Sequence, residues 1–96
     1  MSYKLKFLPS ALKEWKKLGS STQAQFKKKL ITRLENPEVP KDRLRFLENC
    51  YKIKLRSVGY RLVYEVDNNE ITVIVISVGK RDSMRVYDSA RRRKMK

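Results

Sequence analysis

The segment Ile71-Thr72-Val73-Ile74-Val75-Ile76-Ser77-Val78 is almost wholly apolar and β-branched. Branching at Cβ crowds a helical turn and suits a pleated surface. A short run that is apolar at both parities reads as the central strand of a sheet. Partners for it are legible upstream. Tyr51, Ile53 and Leu55 alternate with Lys52, Lys54 and Arg56. After Ser57-Val58-Gly59, Tyr60, Leu62, Tyr64 and Val66 alternate with Arg61, Val63 and Glu65. A period of two marks strands with one apolar face. Asp67-Asn68-Asn69-Glu70 is a turn, and Gly79-Lys80-Arg81 leaves the sheet. Residues 3–8 make a further short strand, with Tyr3, Leu5 and Phe7 on one face and Lys4 and Lys6 on the other.

Between the first strand and the others the period becomes helical. Pro9-Ser10 starts a helix carrying Ala11, Leu12, Trp15 and Leu18, with Gly19 as its C-terminal cap. Ser20 with Gln23 has the spacing of a capping box for a second helix. Phe26, Leu30 and Leu34 form its apolar stripe, Ile31 widens it, and Asn36-Pro37 ends it. Residues 37–49 are irregular. A last helix from about Ser83 carries Met84, Val86, Tyr87 and Ala90, and residues 91–96 form a frayed basic tail. The order β-α-α-β-β-β-α predicts one α+β domain over residues 1–96. A helical hairpin and a C-terminal helix pack on a mostly antiparallel four-stranded sheet.

Directly opposed residues share a face. Positions 51, 53 and 55 are therefore expected opposite 64, 62 and 60, with Lys54 facing Arg61. A one-residue slip would set Lys54 against Leu62. The turn at 67–70 is expected to pair Leu62 with Val75 and Arg61 with Ile76. Lys54, Arg61 and Arg81 then converge at one end of the sheet, with Lys52 and Arg56 flanking.

The 96 residues include 24 Lys and Arg, 10 Asp and Glu and no His, a formal charge of +14. This length allows one domain. The 41% apolar content supports a core and argues against a disordered basic tail protein. Such a charge points to a polyanionic partner: nucleic acid, an anionic membrane or an acidic protein. Without His, a His–His ribonuclease, a Ser–His triad and a Cys–His protease are excluded. Cys50 alone gives neither a disulfide nor a zinc cluster, so a reducing cytoplasmic setting fits and no metal is expected. No stretch approaches the ~18–20 apolar residues of a membrane span. The alternating N-terminus lacks the apolar core of a signal peptide.

No acid interrupts the stretch from Tyr51 to Tyr64. Its cations are either a solvated sheet face or a phosphate site. Ordinary surfaces interleave both signs, which the first reading leaves unexplained. For catalysis, phosphoryl chemistry on RNA fits, because the 2′-hydroxyl is an internal nucleophile. The protein need only remove its proton, stabilise the pentavalent phosphate and protonate the leaving 5′-oxygen. Arg61 suits bidentate charge stabilisation. Lys54 as base needs its pKa lowered by roughly 3 units from ~10.4. Neighbouring cations push it down and a bound phosphate pushes it up, so the residues alone leave that role open. The acids are scattered away from the cations, so neither metal nor other cofactor is expected. Trp15, Phe26 and Tyr60 read as core, and Cys50 as a small buried residue. Lys27-Lys28-Lys29 reads as a solvated helix face.

Several longer blocks carry a resemblance. They are Ala11–Trp15 with Lys17-Leu18-Gly19-Ser20, Lys27–Leu30, Cys50–Ser57, Gly59–Tyr64 and Val75–Arg81, with Tyr87 in the last helix. Across nearly its whole length the chain resembles the RelE toxin family. The resemblance implies a RelE/ParE-like, microbial-ribonuclease-like fold and a toxin of a type II toxin–antitoxin pair. Such toxins enter the ribosomal A site and cut the mRNA codon exposed there, leaving a 2′,3′-cyclic phosphate without metal. A RelB-like antitoxin holds them inactive, and they are monomers when free of it.

Carried onto this sequence, the resemblance sets Lys52 and Lys54 near the scissile phosphate, with Lys54 the base. Arg61 becomes the transition-state stabiliser and Arg81 the leaving-group acid or charge partner. Tyr87 becomes the aromatic that stacks on the substrate nucleotide, and Arg45 a further basic contact. Arg56, Lys80 and Lys27–Lys29 complete the RNA-binding candidates. Phe46 stands where the family usually has Gly. The full basic set argues against one alternative, a ParE-like gyrase poison; the other, a non-catalytic nucleic-acid-binding module, is told apart by the cyclic-phosphate product.

Overall fold

The computed structural model describes residues 2–80 and 85–94. Strand β4 (Thr72–Lys80) lies inside a four-stranded sheet of order β1-β4-β3-β2. Its neighbours are β1 (Lys4–Phe7) and β3 (Tyr60–Asp67), and β2 (Cys50–Leu55) forms the far edge. β1 runs parallel to β4, whereas the β2–β3 and β3–β4 pairs are antiparallel. The sheet is therefore mixed, with an antiparallel majority.

Helices cover both faces of this sheet. Helices α1 (Pro9–Lys16) and α2 (Ser20–Glu35) bring Ala11, Trp15, Phe26 and Leu30 against Ile53, Leu62, Tyr64, Val73 and Val75. On the other face α3 (Arg85–Lys94) packs Val86, Tyr87 and Ala90 with Leu44, Leu47, Cys50, Val63 and Ile76. β4 supplies side chains to both cores, which is why it is apolar at both parities. Among the described residues no helix is long and apolar enough to cross a membrane.

The β2–β3 register is the expected one, with Ile53 opposite Leu62 and Lys54 opposite Arg61. The β3–β4 register is not. Leu62 faces Val78 rather than Val75, and Arg61 faces Gly79 rather than Ile76. Part of the shift arises in the turn, which closes on Asp67 and Thr72, one residue later on each strand. The Asp67 carboxylate accepts the N–H groups of Asn69 and Glu70, and Ile71 takes a positive φ of 51°. The rest is a bulge at Val63/Tyr64, opposite which Ile76 is the extra residue. A bulge re-aims the side chains beyond it. This one turns Val78 into the first core and leaves a glycine beside Arg61.

Smaller expectations also change. Gly19 is not a left-handed cap: it is extended (φ −63°, ψ 155°) and starts α2, after α1 has tightened and ended at Lys17. Ser20 makes no capping bond. The Gln23 amide instead donates to the carbonyls of Trp15 and Leu18 and so caps α1. Ile31 is 66% exposed, so the buried stripe of α2 is narrower than its sequence suggests. Leu12 is exposed as well.

Residues 91–94 are not a frayed tail but the last turn of α3. Arg93 donates to the Glu14 carboxylate (2.9 and 3.2 Å) and to the Ile76 carbonyl, and Lys94 pairs with Glu65. Glu14 also accepts the Val78 N–H, so one carboxylate ties α1 to β4 and α3. Ser83, Met84, Met95 and Lys96 lie outside the described residues.

Candidate active site

The register sets Lys54 directly opposite Arg61, and alternation along β2 puts Lys52 on the same face. At Arg61 that face meets α3, so there it is not an open wet surface. Arg61 is half-buried. It donates to the Tyr87 hydroxyl at 2.6 Å, and its guanidinium lies 5.5 Å from the Tyr87 ring centre. Among the described residues the Arg61 Nε is buried without a hydrogen-bond partner. No carboxylate pairs with Arg61 among the described residues. Withdrawing a cation from water without a counter-charge is unfavourable. A donor group left in that state is matched by an oxyanion, and a phosphate offers the geometry a guanidinium fork takes best.

Tyr87 is only 7% exposed. Phe46 meets it edge-on, with ring centres 5.6 Å apart at 86°, and Arg91 lies over Phe46. The little of the ring that is exposed borders a small cavity shared with Phe46, Asp88 and Arg91. In this arrangement the Tyr87 hydroxyl is an acceptor that fixes the orientation of the Arg61 guanidinium.

Lys54 sits among cations. The Lys52 ammonium, partial burial and the Arg61 and Arg56 guanidiniums all push its pKa below the ordinary lysine value. Helix α2 supports the main chain beneath it. Lys29 donates to the Lys54 carbonyl (3.3 Å), and Arg33 donates to the Lys52 carbonyl (3.2 Å), the Tyr64 hydroxyl (2.8 Å) and Asp42. These cations close the open edge of β2 against pairing with another chain. Burial pushes the Tyr64 hydroxyl up to about 12, so it remains a donor, to the Pro37 carbonyl.

The other candidates are spread more widely. Arg45 and Phe46 are exposed in the loop before β2, Arg56 just after β2, and Lys80 at the end of β4. Lys27, Lys28 and Lys29 are exposed on α2, but only Lys29 reaches the β2 edge. Lys27 instead borders an apolar groove with Leu5, Phe7 and Ile31. Arg81 lies outside the described residues, so its convergence with Lys54 and Arg61 remains an expectation from the sequence. Sequence reasoning missed Arg33 and Lys41, which line a cavity with Lys29, Lys54 and Arg56. The four-residue step from Lys29 to Arg33, one helical face, was the available signal for the first. Cys50 is fully buried, and burial pushes its thiol up to about 12, so it is inert. Among the described residues no group of His, Cys, Asp or Glu is placed to hold a metal ion.

Gly79 tunes this site by being small. A Cβ there would stand 2.6 Å from Cγ2 of Val86. Gly79→Ala is expected to lift α3 and destabilise the fold by about 1–3 kcal/mol, the usual effect of overpacking. Adding Val86→Ala should recover part of it. Urea unfolding of the two single variants and the double tests this, and strict additivity would show that the two residues do not meet.

Residues 5–85 match the family described as ParE toxin of type II toxin-antitoxin system, parDE. The chain is 54% identical over 93 residues to the mRNA interferase toxin RelE of Escherichia coli K12, covering 97% of this chain and 98% of that one. The chain belongs to the RelE toxin family. The RelE fold is matched in solved structures as well. A double Arg-to-Ala variant of Escherichia coli RelE in the free state superposes with a TM-score of 0.91, at 53% identity over 97% of this chain and 98% of that one. The match in the intact Escherichia coli RelBE toxin–antitoxin complex has a TM-score of 0.81, at 56% identity over 82% of this chain and 96% of that one.

Proposed function

We propose that this chain is the toxin of a type II toxin–antitoxin pair and an mRNA interferase. It cuts messages in the ribosomal A site, in the cytoplasm, and is silenced by a RelB-like antitoxin, being a monomer when free of it. The observation that carries the reading is Arg61: a half-buried guanidinium opposite Lys54, whose Nε has no partner and whose charge no carboxylate pairs among the described residues. The relative that shares over half of its residues is itself named an mRNA interferase.

In the reaction Lys54 takes the proton of a 2′-hydroxyl, and the resulting oxygen attacks the adjacent phosphorus. The bond from phosphorus to the 5′-oxygen breaks, giving a 2′,3′-cyclic phosphate and, once the leaving oxygen has taken a proton from water with Arg81 as its charge partner, a 5′-hydroxyl. Arg61, aimed by the Tyr87 hydroxyl, stabilises the charge that builds on the non-bridging oxygens. Arg45, Arg56, Lys80 and Lys27–Lys29 supply docking charge for an RNA-walled site.

Purified protein added to ribosomes that present a defined A-site codon should cut the message and leave the cyclic phosphate, read by mass spectrometry of the fragments. Intact message would overturn the reading, and a block of DNA supercoiling in its place would support a gyrase poison. Arg61→Ala is expected to lower the cleavage rate about 10²–10³-fold, the effect of deleting one preorganised donor. An unchanged rate would remove Arg61 from the mechanism.

A further inference from the structure

A polar cavity of about 370 Å³ opens at the free edge of β2, lined by Lys29, Arg33, Lys41, Asp42, Lys54 and Arg56. Arg33 and Asp42 form its floor. They pair at 2.5 Å with side chains only 12% and 15% exposed, and Arg33 also donates to Lys52 and Tyr64. The Asp42 carboxylate is thereby matched. Lys41 and Arg56 are exposed and make no hydrogen bond or ion pair among the described residues. The ammonium of Lys29 reaches only a main-chain carbonyl, that of Lys54. Among the described residues four cations thus converge on a concave site whose only acid is already neutralised.

Like charges on an ordinary surface splay apart. Here the helix, the short turn at Pro40–Asp42 and the strand edge hold them together, and a concave wall focuses their field. Lys54 belongs both to this cavity and to the pair with Arg61. We propose that the cavity binds a phosphodiester group of RNA beside the one that reacts, with Lys41, Arg56 and Lys29 as its ligands. This inference rests on the mRNA-interferase reading. The β2 carbonyls are already occupied by Lys29 and Arg33, so an approaching strand meets side-chain charge rather than main chain. The phosphodiester belongs either to the message, crossing the β2 edge on its way to Lys54, or to the ribosomal RNA wall.

The test compares wild type, the double variant Lys41→Ala/Arg56→Ala, and a control of equal charge, Lys13→Ala/Lys16→Ala on α1. Cleavage by wild type comes first, since its failure sinks the parent reading and not the cavity. Given wild-type cleavage, the double variant is expected to raise KM at least tenfold, because each ligand makes a charge-assisted hydrogen bond. Its log–log salt slope should fall by about 0.7 for each phosphate no longer neutralised. Ribosomes whose message ends at the P site separate the sources. Weaker binding there too assigns the phosphodiester to ribosomal RNA. Weaker binding only with an A-site codon present assigns it to the message. A double variant that matches the control in KM, affinity and salt slope overturns the proposal.

Discussion

Lys54→Ala is expected to slow A-site cleavage by about 10²–10⁴-fold, the usual contribution of a positioned general base. The pH dependence makes the assignment specific. A lysine works as a base only when neutral, so kcat/KM should climb tenfold per pH unit and flatten once the pH passes the Lys54 pKa. The cations around Lys54 lower that pKa, so the flattening should come below the ordinary lysine value. Lys52 contributes most to the lowering, so Lys52→Ala should move the flattening upward. Lys54→Ala should abolish the limb altogether. Lys54→Arg separates charge from proton transfer, because a guanidinium keeps the positive charge but does not give up its proton. Restored cleavage in Lys54→Arg would make Lys54 an electrostatic contact and move the base elsewhere.

That pair, Lys54 opposite Arg61, was legible in the sequence because both of its strands alternate without interruption. The β3–β4 register was not, and the reason lies in two residues. Ile71 is β-branched, the residue type least suited to a φ of 51°, so pattern reading assigns it to the strand when it belongs to the turn. The bulge opposite Ile76 leaves no mark, because Val75 and Ile76 suit either core. Gly79 beside Arg61 was therefore invisible, as was the contact that α3 makes with Arg61 through Tyr87. The fold class survived these errors because the apolar run of β4 demands an interior strand in any register. Arg33 shows a different limit. Its partners Lys52 and Tyr64 stand 19 and 31 residues away, and no local period reveals them.

Arg33→Ala is expected to destabilise the fold by about 3–5 kcal/mol, the penalty for removing one partner of a buried ion pair. Both side chains are largely withdrawn from water, at 12% and 15% exposure, so solvent screening offers little relief. The substitution leaves the Asp42 carboxylate uncompensated and removes a donor from the Tyr64 hydroxyl and the Lys52 carbonyl. Arg33→Lys should recover little, because one ammonium cannot span the three acceptors that the guanidinium fork reaches. Arg33→Met with Asp42→Leu should recover most of the stability, since removing both charges together leaves no charge unpaired. Urea unfolding of the four proteins reads these differences as shifts in midpoint at constant m. The site should respond as well. Without Arg33 the β2 edge under Lys52 and Lys54 loses its anchor, so the Met/Leu double variant should refold stably yet cleave more slowly than wild type. A destabilisation below about 1 kcal/mol in Arg33→Ala would place the pair with exposed ones and break the link from α2 to the site.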